Sequence, residues 1–157
     1  MIRKFVQTLL TLLTAMLLAG CGSKSDGFKR APLVGLLTLQ GSPLAGASVE
    51  FTPAKGTNGP GAIGVTDDDG KFQVISSRRG HEGIPPGEYT VRVSLFADED
   101  GTPLDSEATQ ADNPFAYEAI PEPYSGAGSP LKVSIPEEGG EVAVDVPKKL
   151  IPPRKKK

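Results

Sequence analysis

Hydrophobic and polar residues alternate in short runs along most of the chain, and glycine, proline or acidic residues bound each run. The clearest run covers residues 88–96, where Tyr89, Val91 and Val93 alternate with polar positions. An alternation of period two places successive side chains on opposite faces of a β-strand. Six further runs predict strands near residues 33–40, 47–52, 63–65, 72–76, 131–135 and 142–146.

The segments between these runs carry turn chemistry. In Asp67-Asp68-Asp69-Gly70, aspartate side chains can accept backbone N–H bonds and the glycine can adopt a left-handed conformation. Residues 54–61 are rich in glycine and predict a loop, and no segment after residue 20 has a helical period. Seven short strands in a chain of this length predict an all-β fold, namely an antiparallel seven-stranded β-sandwich.

The first 20 residues differ from the rest of the chain. Two cationic residues, Arg3 and Lys4, precede a largely apolar run from Phe5 to Leu18, and small residues follow. This order is typical of a secretory signal peptide. The apolar run is shorter than the roughly 18 to 20 residues that a membrane-spanning helix requires, so the pattern favours export over a permanent span.

The only cysteine of the chain follows this segment directly. The sequence Leu18-Ala19-Gly20-Cys21 resembles the lipobox of bacterial lipoproteins. The resemblance implies that the peptide before Cys21 is removed, that the Cys21 thiol receives a diacylglyceryl group, and that the new amino terminus is acylated. Two or three acyl chains hold a protein durably on a membrane. The alternative is a plain signal peptide followed by an incidental cysteine.

These patterns divide the chain into four parts. We predict a lipoprotein signal peptide at residues 1–20, a lipidated cysteine with a flexible polar tether at residues 21–30, a β-sandwich domain at residues 31–147 and a basic tail at residues 148–157. A lone cysteine cannot form an internal disulfide, so the domain depends on burial for its stability.

The charge is distributed unevenly. Residues 22–147 contain nine lysines and arginines against 19 aspartates and glutamates, a net charge of −10, whereas residues 148–157 carry six positive charges. An acidic body argues against nucleic-acid binding, which needs a basic face opposite the phosphates. The tail could contact lipid phosphates or anionic surface polymers, and a solvated charge run is the alternative.

Residues 97–124, which we call the acidic loop, form the longest connection. They contain eight acidic residues and no lysine or arginine. Loops of this length in a compact domain tend to be functional or disordered. Apolar residues in the second half of the acidic loop predict that this half lies across the sandwich, and Phe115, Tyr117 and Tyr124 are candidate anchors for a partner.

Few residues indicate chemistry. Calcium binding at Asp67 and Asp69 is one interpretation of the aspartate triplet. The ligand spacing of an EF-hand is missing, however, and a hydrogen-bonded turn is the favoured alternative. His81 is the only histidine, so one chain cannot assemble a histidine metal cluster or a histidine-containing triad by itself. We therefore predict no catalytic centre, no cofactor and no metal.

Three segments carry a family resemblance: GLLTLQGSPLAGASVEFTP, GVTDDDGKFQV and GIPPGEYTVRVS. Their order and spacing resemble the carboxypeptidase regulatory-like domain, a prealbumin-like (transthyretin-like) β-sandwich. The ending IPEPYSGAGSPLKVSI with GGEVAVDV is similar to a group of small bacterial lipoproteins that carry this domain alone. The resemblance covers about residues 31–147. It implies a prealbumin-like or Ig-like fold without catalytic activity.

The functional expectation follows from the anchor and the loops. The sequence predicts a non-catalytic binding or structural module, lipid-anchored to a membrane of the bacterial cell envelope, that recognises an envelope protein or a surface polymer through loops 54–61 and 97–124. One alternative is an envelope assembly factor that pairs with its client through a sheet edge. A hydrolase is the remaining alternative.

Overall fold

The computed structural model of the chain describes residues 26–78, 81–105, 108 and 111–153, and within them the protein is all-β without a helix. The predicted signal peptide at residues 1–20 and the predicted lipidation site Cys21 lie outside these residues. None of the described segments is a helix long and apolar enough to span a bilayer. The strands are β1 (Leu33–Leu39), β2 (Ser42–Pro43), β3 (Ser48–Pro53), β4 (Ala62–Val65), β5 (Lys71–Gln73), β6 (Ile75–Ser76), β7 (Gly87–Ser94), β8 (Phe96–Ala97), β9 (Tyr117–Glu118), β10 (Lys132–Ile135) and β11 (Gly140–Val146).

Two sheets contain most of the strands. The first sheet has the order β11-β1-β2, with β5 also beside β1, and the second has the order β10-β7-β3-β4-β6. A small third sheet pairs β8 with β9. The predicted antiparallel arrangement is wrong for β1 and β11, which pair in parallel over seven residues from Leu33↔Gly140 to Leu39↔Val146. Alternation within a strand does not show whether its neighbour runs parallel or antiparallel, so the local sequence pattern could not predict this pairing.

The number of strands differs from the prediction because four of the eleven contain only two residues, namely β2, β6, β8 and β9. The predicted strand at 72–76 is divided between the sheets, since β5 pairs with β1 while β6 pairs with β4. Val74 lies at the crossing point, where it is buried and donates its N–H to the Leu33 carbonyl at 3.1 Å. One short segment thus belongs to both sheets.

The core contains the inward rows that the alternation predicted. Tyr89, Val91 and Val93 of β7 are buried, as are Val49 and Phe51 of β3. The first sheet contributes buried residues of β1 and β11 to the same cluster, among them Leu33, Leu37, Val144 and Val146. Each such side chain contributes about 1.5–3 kcal/mol through its removal from water.

The Phe72 side chain packs between the two sheets. It is opposite Gly35 in the β1–β5 register, and a Cβ atom at Gly35 or at Gly64 would collide with its ring. The Phe72 ring centroid is 6.0 Å from that of Phe51, which is in turn 6.4 Å from that of Tyr89 in an edge-on arrangement. Two glycines, one from each sheet, therefore provide the space for an aromatic row through the core.

Strand directions define two ends of the sandwich. Pro53 pairs with Tyr89 and Ser48 with Ser94, so the loop after β3 and the loop after β7 leave opposite ends of this strand pair. The seven residues of β1 separate the ends by about 20 Å. We call one the arm end, made of residues 26–32, 54–61, 77–78, 81–86 and 136–139, and the other the loop end, made of the described residues of 40–47, 66–70, 95–124 and 147–153.

Candidate functional site

An apolar groove of about 840 Å³ lies on the outward face of the first sheet. Its floor is formed by Val34 and Leu36 of β1, Val65 of β4 and Ala143 of β11. Val34, Leu36 and Val65 are 37–43% exposed. The outward face of a sandwich sheet is normally polar because it contacts water. An apolar floor in this position is a candidate binding surface.

Polar residues flank the floor of the apolar groove on both sides. Leu36 lies between Lys71 and Ala143 in the strand register, and Val34 lies between Gln73 and Glu141. The outer strands thus place a cation on one side of the floor and an anion on the other. Apolar pockets with a few polar groups at their margin are the usual form of a binding site.

The apolar surface continues beyond the groove along β4 and β6. Ile63 and Ile75 are directly opposite each other in the register, and both are exposed. Eight large hydrophobic side chains are exposed within the described part of the chain, and five of them belong to this belt: Val34, Leu36, Ile63, Val65 and Ile75. Contiguous exposed apolar surface of this kind marks interaction sites in soluble domains.

Sequence reasoning did not identify the groove as a site, although one signal was present. Residues 33–39 are apolar at most positions, with Val34 and Leu36 interleaved between Leu33 and Leu37. A strand with one solvated face would carry polar residues at 34 and 36. The contribution of Val65 could not be anticipated, because it comes from a strand of the other sheet.

The two loops predicted to form one recognition surface are not brought together. Residues 54–61 lie at the arm end, where Ala54 donates its N–H to the Glu88 carbonyl at 2.8 Å. The acidic loop lies at the loop end, where Ala119 donates to the Leu95 carbonyl at 2.8 Å. A single partner contact that involves both loops would have to span the length of the sandwich.

Glu118 fixes the second half of the acidic loop to the body of the domain. Its carboxylate accepts hydrogen bonds from the Ser94 hydroxyl at 2.5 Å and from the backbone N–H groups of Leu95 and Ile120 at 2.9 Å. Ile120 and Tyr124 belong to the core cluster. The second half of the loop therefore lies across the sandwich, as its apolar residues predicted.

The three candidate aromatic anchors differ in exposure. Phe115 is 70% exposed, Tyr117 is half-buried, and Tyr124 is 9% exposed within the core cluster. The backbone carbonyl of Tyr124 accepts the N–H of Val93 at 3.1 Å. Tyr124 thus packs in the core, and Phe115 is the most exposed of the three candidates. Contact of any of them with a partner stays a prediction, because apolar residues for packing and for recognition look alike in sequence.

The aspartate triplet forms a hydrogen-bonded turn. Asp67 Oδ1 accepts the backbone N–H groups of Asp69 at 3.0 Å and Lys71 at 2.8 Å, and Gly70 has a φ of 73°. Asp69 Oδ2 lies 3.6 Å from Lys71 Nζ. Within the described residues, no three potential ligands among His, Cys, Asp and Glu gather into a metal site.

Residues 26–30, which we call the arm, are the described half of the predicted tether. Asp26 forms a two-pronged ion pair with Arg30 at 2.8 and 2.5 Å, and its side chain is only 7% exposed. Arg78 Nη1 and His81 Nε2 approach Asp26 Oδ2 at 3.5 and 4.0 Å. The polar composition of residues 21–30 predicted a flexible tether without fixed contacts, whereas the arm is bound to the domain by charges distant in sequence.

Apolar and ionic contacts add to this attachment of the arm. The guanidinium carbons of Arg30 and Arg78 lie 5.9 and 5.8 Å from the Phe28 ring centroid, within the range of cation–π attraction. Phe28 lies beside Gly59, so that a Cβ added there would approach the ring at 3.1 Å. Lys29 Nζ contacts Glu137 Oε2 at 3.0 Å, with both side chains exposed. The arm therefore touches three separate segments of the arm end.

Attachment of the arm is expected to depend on pH. Hydrogen bonds from Arg30 hold the pKa of the Asp26 carboxyl well below its ordinary value of 3.8. Because this pKa is lowered in the folded state, the stabilisation is complete above pH 3.8 and decreases as the pH falls below that value. Limited proteolysis of the arm should therefore accelerate in acid. Asp26→Asn should give rapid cleavage at neutral pH, whereas equally slow cleavage of Asp26→Asn and wild type would contradict the assignment.

The described part of the basic tail also contacts the domain. Ile151 donates its N–H to the Ala119 carbonyl at 2.8 Å, and Leu150 packs against the core cluster. A Cβ added at Gly101 would meet Pro153 at 3.2 Å. Residues 148–153 thus run along the acidic loop at the loop end, so the packed domain extends past the predicted boundary at residue 147.

Comparison with known proteins yields little. No protein-family model matches the chain, and no curated protein matches it. Among solved structures, the chain is similar to a 9R-lipoxygenase from Cyanothece PCC8801, with 15% sequence identity and a TM-score of 0.36. The match covers 76% of this chain and 17% of the lipoxygenase chain. A similarity this low does not bear on the activity of this chain.

Proposed function

We propose that this protein is a non-catalytic binding module of the bacterial cell envelope, anchored to a membrane by lipid on Cys21. The lipobox-like sequence before Cys21 supports the anchor, and the resemblance to carboxypeptidase regulatory-like domains supports a role without catalysis. A lipid anchor concentrates the domain at the membrane surface, where its partner is an envelope protein or a surface polymer.

The apolar groove is the observation that carries the binding role. Its floor exposes three aliphatic side chains, and Lys71 and Glu141 lie at opposite margins. An apolar floor supplies affinity through removal of surface from water, and the charged margins restrict which partner fits. The groove replaces loop 54–61 as the proposed contact surface, because that loop lies at the arm end and away from the acidic loop.

Pairing of a client at a sheet edge is the second candidate, and β11 favours it. Gly140 donates its N–H to the Pro32 carbonyl, and the Val146 carbonyl accepts the N–H of Gln40, so the even-numbered residues of β11 bond toward β1. In a parallel pair the intervening residues, among them Glu141 and Ala143, point their N–H and C=O groups the other way. Within the described residues, β11 is paired on one side only and could accept an added strand.

Site-specific photo-cross-linking in intact cells tests the groove. A photoreactive residue at Val34 should give a discrete adduct, whereas the same residue at Ile151, which has similar exposure on another surface, should not. Adding Leu36→Asp to the protein labelled at Val34 should remove most of the adduct, since it replaces part of the apolar floor with a charge that a bound partner would have to strip of water. Equal adducts at both positions, or no effect of Leu36→Asp, would refute groove binding.

A proline substitution separates the groove from the edge. Ala143→Pro removes an N–H that points away from β1, and proline is tolerated on edge strands. If Ala143→Pro abolishes the adduct while Leu36→Asp leaves it intact, the client pairs with β11. The opposite result assigns binding to the groove.

A further inference from the structure

The position of the arm limits where a membrane anchor can lie. Cys21 precedes Asp26 by five residues, and a fully extended chain covers at most about 3.6 Å per residue. Whatever its conformation, the connection is therefore no longer than about 18 Å. Asp26 itself is fixed at the arm end by Arg30 and Arg78.

The contacts of the arm also resist rotation of the domain about this attachment point. Asp26 is bound by two guanidinium groups, Phe28 lies beside Gly59 of loop 54–61, and Lys29 reaches Glu137 in the turn between β10 and β11. Contacts with three separate segments of the arm end restrict rotation of the domain more than a single contact would. The arm thus acts as a short, directed connection to the domain.

Charge also distinguishes the two ends. Among the described residues, the arm end carries four acidic and four basic residues, and the loop end carries ten acidic and two basic residues. The four cations at residues 154–157, which lie outside the described residues, reduce this difference without removing it. Anionic lipid headgroups attract cations and repel carboxylates within about a Debye length. The loop end is therefore the less favourable end to place against an anionic bilayer.

We propose that the arm end is the bilayer-facing surface of the anchored protein and that the loop end points away from the membrane. This orientation rests on the proposed lipidation of Cys21. It leaves the apolar groove and β11 on the side of the domain, parallel to the axis that joins the two ends. The described residues of the acidic loop and of the basic tail then lie at the end of the domain away from the membrane that holds the anchor.

Energy transfer from the protein to the lipid headgroups tests this orientation. Full-length lipidated protein carrying Asn58→Cys at the arm end or Ser42→Cys at the loop end is labelled with a donor dye. The modified thiol of Cys21 does not react, so each variant has one label. The proteins are placed in phosphatidylcholine vesicles that contain phosphatidylglycerol and an acceptor-labelled lipid. Because the strands separate the ends by about 20 Å, transfer at residue 58 should exceed transfer at residue 42 about twofold.

Two further variants show whether the arm causes the orientation. Asp26→Asn weakens the ion pairs that hold the arm and does not change the sandwich core. It should reduce the difference between the transfer efficiencies at residues 58 and 42. Glu82→Gln also removes one carboxylate from the arm end, but Glu82 is exposed and takes no part in the described contacts of the arm, so this control should preserve most of the difference. Equal transfer at both positions in the wild-type background, or greater transfer at residue 42, overturns the proposal.

Failure of the anchor is recognised separately. Flotation of the vesicles and intact-mass measurement show whether the protein is lipidated and bound before any transfer is measured. Protein that carries no lipid and does not float overturns the proposed anchoring, and with it the orientation. Lipidated, floating protein with equal transfer at both ends overturns the orientation alone.

Discussion

Replacing Phe72 with alanine is expected to lower the free energy of unfolding by about 3–5 kcal/mol, the usual cost of removing a buried phenylalanine ring. Phe72 is buried between the two sheets, and its ring occupies the space that side chains at Gly35 and Gly64 would otherwise fill. The alanine variant would leave a cavity in place of the ring. This cavity would be bordered by the glycine backbone of both sheets, so neighbouring side chains could not readily fill it. Most small domains have only about 5–15 kcal/mol of stability, so the variant should be close to unfolding.

Urea unfolding of the purified domain measures this change, with the midpoint and the slope fitted separately. Phe115→Ala is the matched control, because its ring is 70% exposed and its loss should change stability by less than about 0.5 kcal/mol. Similar midpoints for the two variants would show that the Phe72 ring does not join the sheets. A smaller loss for Phe72→Leu than for Phe72→Ala would support the cavity explanation.

Replacing Cys21 with serine is expected to abolish membrane attachment through lipid. Serine lacks the thiol that receives the diacylglyceryl group in the lipoproteins that this segment resembles. Each buried CH₂ group contributes about 0.8 kcal/mol to membrane binding, so loss of two or three acyl chains changes the partition by many orders of magnitude. Incorporation of labelled palmitate should disappear in the variant.

Ser23→Ala is the matched control for Cys21→Ser, since it changes a hydroxyl near the same site without removing the thiol. It should incorporate palmitate as the wild type does. Wild-type protein that incorporates no fatty acid, or a Cys21→Ser variant that still does, would contradict lipidation at Cys21.

Alternation in the sequence was sufficient to predict which side chains face the core. Tyr89, Val91 and Val93 were placed on one face by their spacing, and all three are buried. This success has a local cause, since the direction of a side chain in a strand depends only on the parity of its position. The turn at Asp67 was also predictable, because its hydrogen bonds are local and join Asp67 to Asp69, Gly70 and Lys71.

Features that depend on distant partners were not predictable. The run at 72–76 alternates as one strand, yet the chain changes from the first sheet to the second at Val74. The alternation of inward and outward side chains is not interrupted at this point, so the sequence shows no break. The arm was predicted to be flexible because GSKSDGFKR is polar, and Arg78 and His81, which approach Asp26, lie about 50 residues away. The sequence likewise contains nothing that places the loop after β3 and the loop after β7 at opposite ends.

The parallel pairing of β1 with β11 determines how the domain would carry mechanical load. The chain enters β1 at the arm end and leaves β11 at the loop end, and the two strands are joined over seven register positions. Tension between the proposed lipid anchor and a load on the chain after β11 would pull the two strands in opposite directions along their length. All the hydrogen bonds of the ladder would then resist together in shear, whereas strands peeled apart from one end would lose them one at a time. In a domain that is anchored at one end and loaded at the other, this strand pair would therefore lie parallel to the applied force.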